Sequence, residues 1–252
     1  MKIAVAGATG RAGRHVVDAL EARGVDVVPM ARSTGVDVIT GDGLAEALSG
    51  VEAIVDLATG PTPEEESATE FFTTAARNLH EAGNDAGVQR MVVVSIVGID
   101  RFDSGYNAAK LAQERATLEG PIPARILRAT QFHEFVAQLV DWGRQGDVAY
   151  VPKMRTQLIA AGTVAAALAD LAVDPDAVPG PVLEIAGPRE ESMVDAASLL
   201  VAERGEPVRI EGVTWDPLYE QGAALPGPDA TLAGPTFAEW LAAQNGALSH
   251  PR

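Results

Sequence analysis

The chain has 252 residues, of which 47% are hydrophobic and 21% charged, a composition ordinary for a globular protein with one large core. Its formal net charge of −16 argues against binding to nucleic acid or anionic lipid, because both would be repelled. The absence of cysteine excludes disulfides, thiolate metal sites and cysteine nucleophiles. No apolar run is long enough for a signal peptide or a membrane span, so we expect a cytoplasmic protein.

Short apolar runs alternate with helical stretches in the first half of the chain. Strands are predicted at residues 2–6, 25–30, 36–40, 53–57, 90–95 and 124–128. Helices are predicted between them, at residues 11–23, 44–48, 64–87 and 106–119. Continuous apolar strands separated by helices indicate a parallel sheet that is buried on both faces. Six such strands before residue 130 complete an α/β, Rossmann-type doubly wound sheet.

The pattern changes after Thr130. Helices are predicted at 131–143 and 163–172, and short extended segments at 148–152 and 182–185. Proline and glycine become frequent at 175–181 and 217–235, with no internal repeat and no long linker. We therefore expect a single domain over residues 1–252, with a core over about 1–130 and a small C-terminal lobe over about 131–252.

A glycine-rich motif follows the first predicted strand and opens the first predicted helix. In this context Gly7 permits a tight turn, Gly10 lets the backbone approach a pyrophosphate, and Gly13 lets the helix pack closely on the strand. The helix N-terminus offers free N–H groups and a positive dipole end to phosphates. The predicted dinucleotide contacts here are Gly7, Thr9, Gly10, Arg11, Ala12 and Gly13. A glycine-rich turn without a ligand is the alternative.

The end of the second predicted strand indicates which dinucleotide is bound. An NAD-specific fold places an acidic residue there to hold the ribose hydroxyls. This chain has Arg32 instead, whose guanidinium can pair with a 2′-phosphate, and Ser33 adds a second donor. Arg11 could reach the same phosphate. The sequence therefore predicts NADP(H) in preference to NAD(H), and a solvated surface arginine is the alternative.

Two further segments are predicted to line the dinucleotide. Asp42 follows the third predicted strand, where a carboxylate can accept a hydrogen bond from the adenine amino group. The alternative is that Asp42 caps the helix that begins near Leu44, and the two roles do not exclude each other. Small and apolar residues end the fourth predicted strand, where backbone would line the far ribose, and these are Leu57, Ala58 and Thr59.

Ser95 ends the fifth predicted strand, and Tyr106 and Lys110 follow on the next predicted helix. Positions i and i+4 share one helix face, so the lysine ammonium should lie beside the phenol and lower its pKa. Tyr106 would then give a proton to a carbonyl being reduced, and Ser95 would orient the same oxygen. Lys110 would also hold the nicotinamide ribose. Alternatively, Tyr106 is a half-buried helix-terminal residue and Lys110 is only a ribose ligand.

Together these motifs resemble the atypical short-chain dehydrogenase/reductases, specifically the NmrA-like NAD(P)-binding family. The resembling stretches are residues 7–13, 93–100, 106–114, 127–135 and 184–188. The resemblance implies a Rossmann core, a small C-terminal substrate lobe, and NADP(H) in the cleft, with Ala129, Thr130 and Phe132 near the nicotinamide. Members of the family include reductases of quinones and other carbonyls, and also cofactor-sensing regulators without turnover.

Three residues after the sixth predicted strand are candidates for a substrate pocket, because ligands bind outside the carboxyl end of such a sheet. These are His133, Phe135 and Trp142. His133 could donate to a substrate oxygen or relay protons, and a hydrogen-bonded structural histidine is the alternative. No group of His, Asp or Glu has the spacing of a metal site, so we expect no metal.

The prediction is an NADP(H)-dependent oxidoreductase that reduces a carbonyl, a quinone or a similar small organic substrate by hydride transfer. A non-catalytic NADP(H)-sensing regulatory protein is the alternative. NADP-assisted isomerisation or dehydration is a third possibility that the sequence does not separate from the first. The expected partner is a small-molecule substrate, and the expected state is a monomer or a weak homodimer.

Overall fold

The computed structural model describes residues 1–174 and 180–248, so the proline-rich stretch predicted at 175–181 lies mostly outside them. The chain forms two compact units. The first contains Met1–Arg128 and Val164–Leu183, and the second contains Ala129–Thr163 and Glu184–Arg252. Within the described residues, no helix combines the length and the apolar character needed to cross a bilayer.

Strands and helices alternate from Lys2 to Gly143, and after that several short strands follow one another. The strands are β1 (Lys2–Ala6), β2 (Asp26–Met30), β3 (Ala53–Asp56), β4 (Arg90–Ile96), β5 (Ala124–Ala129), β6 (Arg144–Gln145), β7 (Val148–Pro152), β8 (Arg155–Thr156), β9 (Val182–Ala186), β10 (Glu191–Ser192), β11 (Arg209–Val213) and β12 (Thr231–Leu232). The helices are α1 (Arg11–Glu21), α2 (Leu44–Ala47), α3 (Glu65–Ala86), α4 (Gly105–Leu118), α5 (His133–Gly143), α6 (Ala161–Val173), α7 (Met193–Glu203), α8 (Pro217–Glu220) and α9 (Phe237–Leu248).

The main sheet confirms the predicted Rossmann-type fold. Seven strands lie in the order β12-β9-β5-β4-β3-β1-β2. β1 pairs in parallel with β2 through Lys2 and Asp26, and with β3 through Ile3 and Ala53. The chain moves from β1 to one side for β2 and returns to the other side for β3, so the order reverses at β1. Ligands of such sheets bind in the crevice at this switch point, outside the carboxyl ends of the strands.

Apolar burial on both faces fixes the central strands, as their continuous hydrophobic runs predict. Residues 3–6 of β1 and 53–55 of β3 are fully buried. α3 packs on α4 through a small cluster of Ala68, Phe72 and Ala109. These alanines permit close approach of the two helices, and α4 is thereby held against α3 at the end that carries Tyr106.

The predicted third strand at residues 36–40 is wrong. The segment is a turn, because the Asp37 side chain accepts hydrogen bonds from the backbone N–H of Ile39 at 2.7 Å and of Thr40 at 3.4 Å. Asn78 of α3 donates to the carbonyls of Val38 and Ile39 at 2.9 and 2.8 Å. Side chains thus hydrogen-bond the backbone N–H and C=O groups that would otherwise pair with a neighbouring strand. The chain therefore has five strands before residue 130 instead of six.

The second unit has its own core and smaller sheets. β7 pairs in parallel with β11 and antiparallel with β6, and β8 pairs antiparallel with β10. α5, α7 and α9 contribute buried apolar side chains to one cluster with β7. Sequence reasoning predicted β7 but missed α7, β11 and α9. α5 begins at His133, two residues later than predicted, because Gln131 accepts a hydrogen bond from Ile159 and is held in an extended segment.

The helix α1 lies against β1 at a point that accepts only glycine. A Cβ on Gly13 would lie 2.1 Å from the Gly7 carbonyl oxygen, so we expect Gly13→Ala to lower the free energy of unfolding by about 3 kcal/mol. Gly162 of α6 has nothing within 4 Å of the same position, so Gly162→Ala should be neutral or slightly stabilising. Urea denaturation of both variants measures the difference, and equal midpoints would contradict the close approach.

Candidate cofactor and active site

The glycine loop lies at the carboxyl end of β1, directly at the switch point. Gly7 has a φ of +76°, and its N–H donates to the Met30 carbonyl at 3.0 Å, which links the loop to the end of β2. Gly10 is the N-cap of α1 and brings no side-chain acceptor, and the first turn has no acidic residue. The positive end of the helix dipole therefore carries no competing anion, which is what a phosphate site requires.

The end of β3 closes in on this loop from the other side. A Cβ on Gly7 would lie 2.8 Å from the Leu57 carbonyl oxygen. Leu57 and Ala58 are buried, whereas Thr59 is exposed. The structure thus brings the two predicted cofactor segments together in the first unit, with backbone against backbone.

Arg32 stands at the end of β2, exposed and without an ion-pair or hydrogen-bond partner for its guanidinium among the described residues. It opens a one-turn 3-10 helix, Arg32–Thr34, that also holds the exposed Ser33. Thr34 Oγ1 accepts from the Ala31 N–H at 3.0 Å and donates to the Pro29 carbonyl at 2.9 Å. These hydrogen bonds define the turn, and a cation without a partner among the described residues, in a chain of net charge −16, is suited to an anionic ligand.

Asp42 is exposed in the turn before α2. Its backbone carbonyl accepts from the Asp37 N–H at 2.9 Å, and its own N–H donates to Thr40 Oγ1 at 3.3 Å. Gly43 is the N-cap of α2, so the alternative capping role for Asp42 is wrong. The adenine contact stays a prediction.

The surroundings of Tyr106 and Ser95, the predicted proton donor and orienting residue, differ. The Tyr106 ring packs edge-on against Phe72, with the ring centroids 5.7 Å apart. Burial raises the pKa of Tyr106, opposite to the direction expected from a neighbouring ammonium. Ser95 is 3% exposed, and its Oγ is buried without a hydrogen-bond partner among the described residues. An unsatisfied buried hydroxyl carries a free-energy cost, which a ligand oxygen would relieve.

The contacts of the Lys110 ammonium are with β4, with its own helix and with the ring of Phe72. The ammonium donates to the Val94 carbonyl at 2.8 Å and to Gln113 Oε1, and it lies 4.8 Å from the centroid of the Phe72 ring. These contacts hold the charge beside β4. Burial lowers the pKa of Lys110 to about 8, against the opposing effect of the nearby Asp56 and Glu114 carboxylates.

Sequence reasoning missed the ion pairs that anchor α4. Arg128 of β5 donates to both carboxylate oxygens of Glu114, at 2.9 and 2.8 Å, and lies 3.3 Å from the Asp100 carboxylate. The Glu114 side chain is 4% exposed, and hydrogen bonding to it raises the pKa of Arg128. Glu65 of α3 accepts from the Gly105 N–H at 2.6 Å. The sequence places Glu114 one helical turn after Lys110, but this spacing does not reveal that Arg128 of another element is its partner.

Three predicted cofactor residues fall at or just after the end of β5. Ala129 is the last residue of that strand. In the second unit, the Thr130 N–H donates to the Ile185 carbonyl at 3.1 Å, and Thr130 Oγ1 donates to the Gln157 carbonyl. Phe132 is the N-cap of α5 and bridges to Ile159. Their role with the nicotinamide stays a prediction.

The predicted substrate residues on α5 have contrasting environments. His133 is 1% exposed, and its Nε2 lies 3.1 Å from the Pro235 carbonyl oxygen. Its ring packs 5.2 Å from that of Trp240, and burial lowers the pKa of His133 to about 4. These contacts fit the structural alternative for His133. Trp142 is 63% exposed, with its ring 5.9 Å from that of Phe135.

The comparisons with known proteins agree with this geometry. Residues 7–175 match a family described as NAD(P)H-binding. A segment of 117 residues is 36% identical to the L-arabinose 1-dehydrogenase (NAD(P)(+)) of Haloferax volcanii, covering 43% of this chain and 44% of that enzyme. The chain thus matches less than half the length of this relative.

Solved structures share the fold at low sequence identity. A dTDP-4-dehydrorhamnose reductase from Clostridium acetobutylicum gives a TM-score of 0.75 at 16% identity, over 99% of this chain and 100% of that one. An NADPH-dependent quinone oxidoreductase from Escherichia coli, complexed with NADPH, gives 0.73 at 19% identity, over 96% and 99%. At these identities the similarity establishes the architecture.

The buried Glu114–Arg128 pair should contribute strongly to stability. Glu114→Gln removes the buried partner of Arg128 and leaves only the more exposed Asp100 carboxylate beside its charge, so the free energy of unfolding should fall by about 3 kcal/mol. Glu119, on the same helix end, is exposed, and Glu119→Gln should change it by less than about 0.5 kcal/mol. Chemical denaturation of the two variants distinguishes them, and similar midpoints would show that the pair does not anchor α4.

Proposed function

Because the chain belongs to the NAD(P)H-binding family, we propose that it is an oxidoreductase that uses NADP(H) to reduce a carbonyl, a quinone or a similar small organic compound. This membership confirms the predicted resemblance to atypical, short-chain-reductase-like NAD(P)-binding proteins. The observation that carries the proposal is an arrangement within the first unit. The glycine loop, Arg32 and Lys110 lie at the carboxyl ends of β1, β2 and β4, around the switch point.

The residues present fit a dinucleotide. The glycine loop leaves no side chain between the start of α1 and the end of β3, so backbone N–H groups can meet a pyrophosphate. Arg32 and Ser33 are exposed for a 2′-phosphate, and Leu57, Ala58 and Thr59 would follow the far ribose. The unpaired state of the Arg32 guanidinium favours NADP(H) over NAD(H), because its salt bridge would cost no existing partner.

When bound, the nicotinamide supplies a hydride. Tyr106 would supply the proton, and its raised pKa keeps the phenol protonated until a substrate oxygen becomes basic enough to take it. The buried Ser95 hydroxyl would donate to the same oxygen, and Lys110 would donate to the nicotinamide ribose. Each residue thus has one task that its surroundings permit: Tyr106 holds a proton, Ser95 orients, and Lys110 binds as a cation.

The substrate class is proposed from the chemistry and from the names of related proteins. The archaeal relative is named for the oxidation of L-arabinose, and the Escherichia coli structure for quinones. A first screen should therefore test quinones, aldehydes and ketones with NADPH, and aldose sugars with NADP+.

The nucleotide preference is tested by the Arg32→Ala variant. NADPH should bind more weakly to it by about 1–3 kcal/mol, the contribution of a charge-assisted hydrogen bond, whereas NADH affinity should not change. Arg115→Ala, on the exposed side of α4, removes the same charge and serves as the control. Calorimetric titration gives both affinities.

If the two nucleotides bind the wild type equally well and Arg32→Ala has no effect, the NADP(H) preference is wrong and only the family's general cofactor remains. If NADPH and NADP+ bind with clearly different affinities and no compound in the screen is turned over, the sensing alternative gains support, because a redox sensor requires that difference.

The proton donor is tested by the Tyr106→Phe variant, which keeps the ring packing against Phe72. Turnover of the best substrate should fall by about 100-fold or more, while NADPH affinity stays within about threefold. NADPH consumption followed by absorbance, together with the titration above, separates the two effects. Full activity in this variant would remove Tyr106 from the mechanism and leave the rest of the proposal standing.

A further inference from the structure

A buried chain of three polar side chains connects β3 to the lysine of α4. Asp56 is 1% exposed, Gln113 is 2% exposed and Lys110 is 5% exposed. Gln113 Nε2 donates to Asp56 Oδ2 at 3.0 Å, and Gln113 Oε1 accepts from the Lys110 ammonium. A lysine only donates hydrogen bonds and a carboxylate only accepts them, so the Gln113 amide must turn its oxygen towards Lys110 and its nitrogen towards Asp56.

The other oxygen of the same carboxylate holds the cofactor segment. Asp56 Oδ1 accepts from the Ala58 N–H at 2.9 Å, at the point where β3 ends. One buried carboxylate thus fixes the backbone predicted to line the far ribose and, through Gln113, the ammonium predicted to bind the nicotinamide ribose. Burying a carboxylate costs free energy, so a buried carboxylate that accepts a hydrogen bond on each oxygen at this place calls for an explanation.

We propose that Asp56 and Gln113 are positioning residues that hold the Lys110 ammonium for the nicotinamide ribose. The inference rests on the proposed function, since it assigns a task at that cofactor site. Two of the three ammonium N–H groups are taken by the Val94 carbonyl and Gln113 Oε1, which fixes the direction of the third. A lysine without these contacts would rotate about its four-carbon side chain and lose that direction.

The charges around Lys110 are few. Asp56 faces it from β3, Glu114 from its own helix, and both favour the ammonium form. Glu114 is itself paired with Arg128, Tyr106 lies one turn earlier and is neutral, and the contact from α3 is the ring of Phe72. Of the two carboxylates near Lys110, Glu114 is therefore paired with Arg128, and Asp56 is the one whose neighbouring cation is Lys110 itself.

The experiment compares two ligands and three variants. NADPH contains the nicotinamide ribose, and 2′,5′-ADP contains only the adenosine half with its phosphates. The test variants are Gln113→Leu, which removes the amide, and Asp56→Asn, which removes the charge. Thr117→Val is the matched control, because Thr117 is 0% exposed on the same helix and its Oγ1 has no partner among the described residues.

Both test variants should bind NADPH about tenfold more weakly, the loss expected for a disordered charge-assisted contact, and should bind 2′,5′-ADP as the wild type does. Thr117→Val should match the wild type for both ligands. In the wild type, NADPH affinity should fall as the pH rises through about 8, where the Lys110 pKa lies. In Asp56→Asn the fall should begin at a lower pH, because loss of the anion lowers that pKa further.

Equal weakening of both ligands would overturn the inference, since the effect would then pass through the Ala58 backbone or the fold. Unchanged NADPH affinity in Gln113→Leu would overturn it directly, and this variant decides the matter if Asp56→Asn does not fold. Wild-type protein that binds 2′,5′-ADP but not NADPH would overturn both the inference and the proposed function, whereas unchanged NADPH affinity in Gln113→Leu overturns the inference alone. Wild-type protein that binds neither ligand would overturn the proposed function as well.

Discussion

The contact between Gly13 and the Gly7 carbonyl sets the position of everything around the cofactor site. A helix can approach a strand this closely only where no Cβ stands between them, and a Cβ at Gly13 would lie 2.1 Å from that oxygen. The approach fixes the N-terminus of α1 at the carboxyl end of β1. Gly7 in turn lies against the backbone of Leu57, so β1, β3 and the helix dipole meet at one point. The proposed phosphate site therefore depends on backbone packing, and side chains would add only selectivity.

Two arginines of the first unit, Arg32 and Arg128, have opposite surroundings. The chain carries 35 acidic residues against 19 Lys and Arg, yet Arg32 has no partner among the described residues, while Arg128 is buried against Glu114 and Asp100. The buried pair fixes α4 relative to β5, and removal of Glu114 would leave the Arg128 charge with only the more exposed Asp100 carboxylate beside it. Arg32 lies at the surface, in a hydrogen-bonded turn. An acidic surface repels nonspecific anions, so a cation without a partner, such as Arg32, would favour a specific anionic ligand.

The sequence was sufficient for features that depend on short-range spacing. The glycine loop, the apolar strands of the first unit and the Tyr106–Lys110 spacing were all predictable, because each is a pattern over a few residues. The segment at 36–40 was mispredicted, because its apolar residues look like a strand and only Asn78, about 40 residues away, shows where their carbonyls are bonded.

Long-range polar contacts and the second unit were beyond that reasoning. Gln113 and Asp56 are 57 residues apart, and nothing in a helix reveals that one of its amides faces a carboxylate on another strand. β6, β8, β10 and β12 have two residues each, too few for any periodicity to show. His133 was left open between two roles for a similar reason. Its surroundings, Pro235 and Trp240, come from about 100 residues later in the chain.

Burial shifts the pKa values of Tyr106 and Lys110 in opposite directions, and these shifts bear on the direction of the proposed reaction. Desolvation raises the pKa of the phenol and lowers that of the ammonium, so in each case it favours the neutral form. The structure opposes this effect only at Lys110, where two oxygens and the Asp56 carboxylate favour the charge. Tyr106 receives an aromatic contact and keeps its proton. A protonated phenol beside a cationic ribose ligand is the starting state for giving a proton to a reduced oxygen, whereas oxidation of an alcohol would require the phenolate. Under the roles proposed for Tyr106 and Lys110, these protonation states suit the reduction of a substrate oxygen.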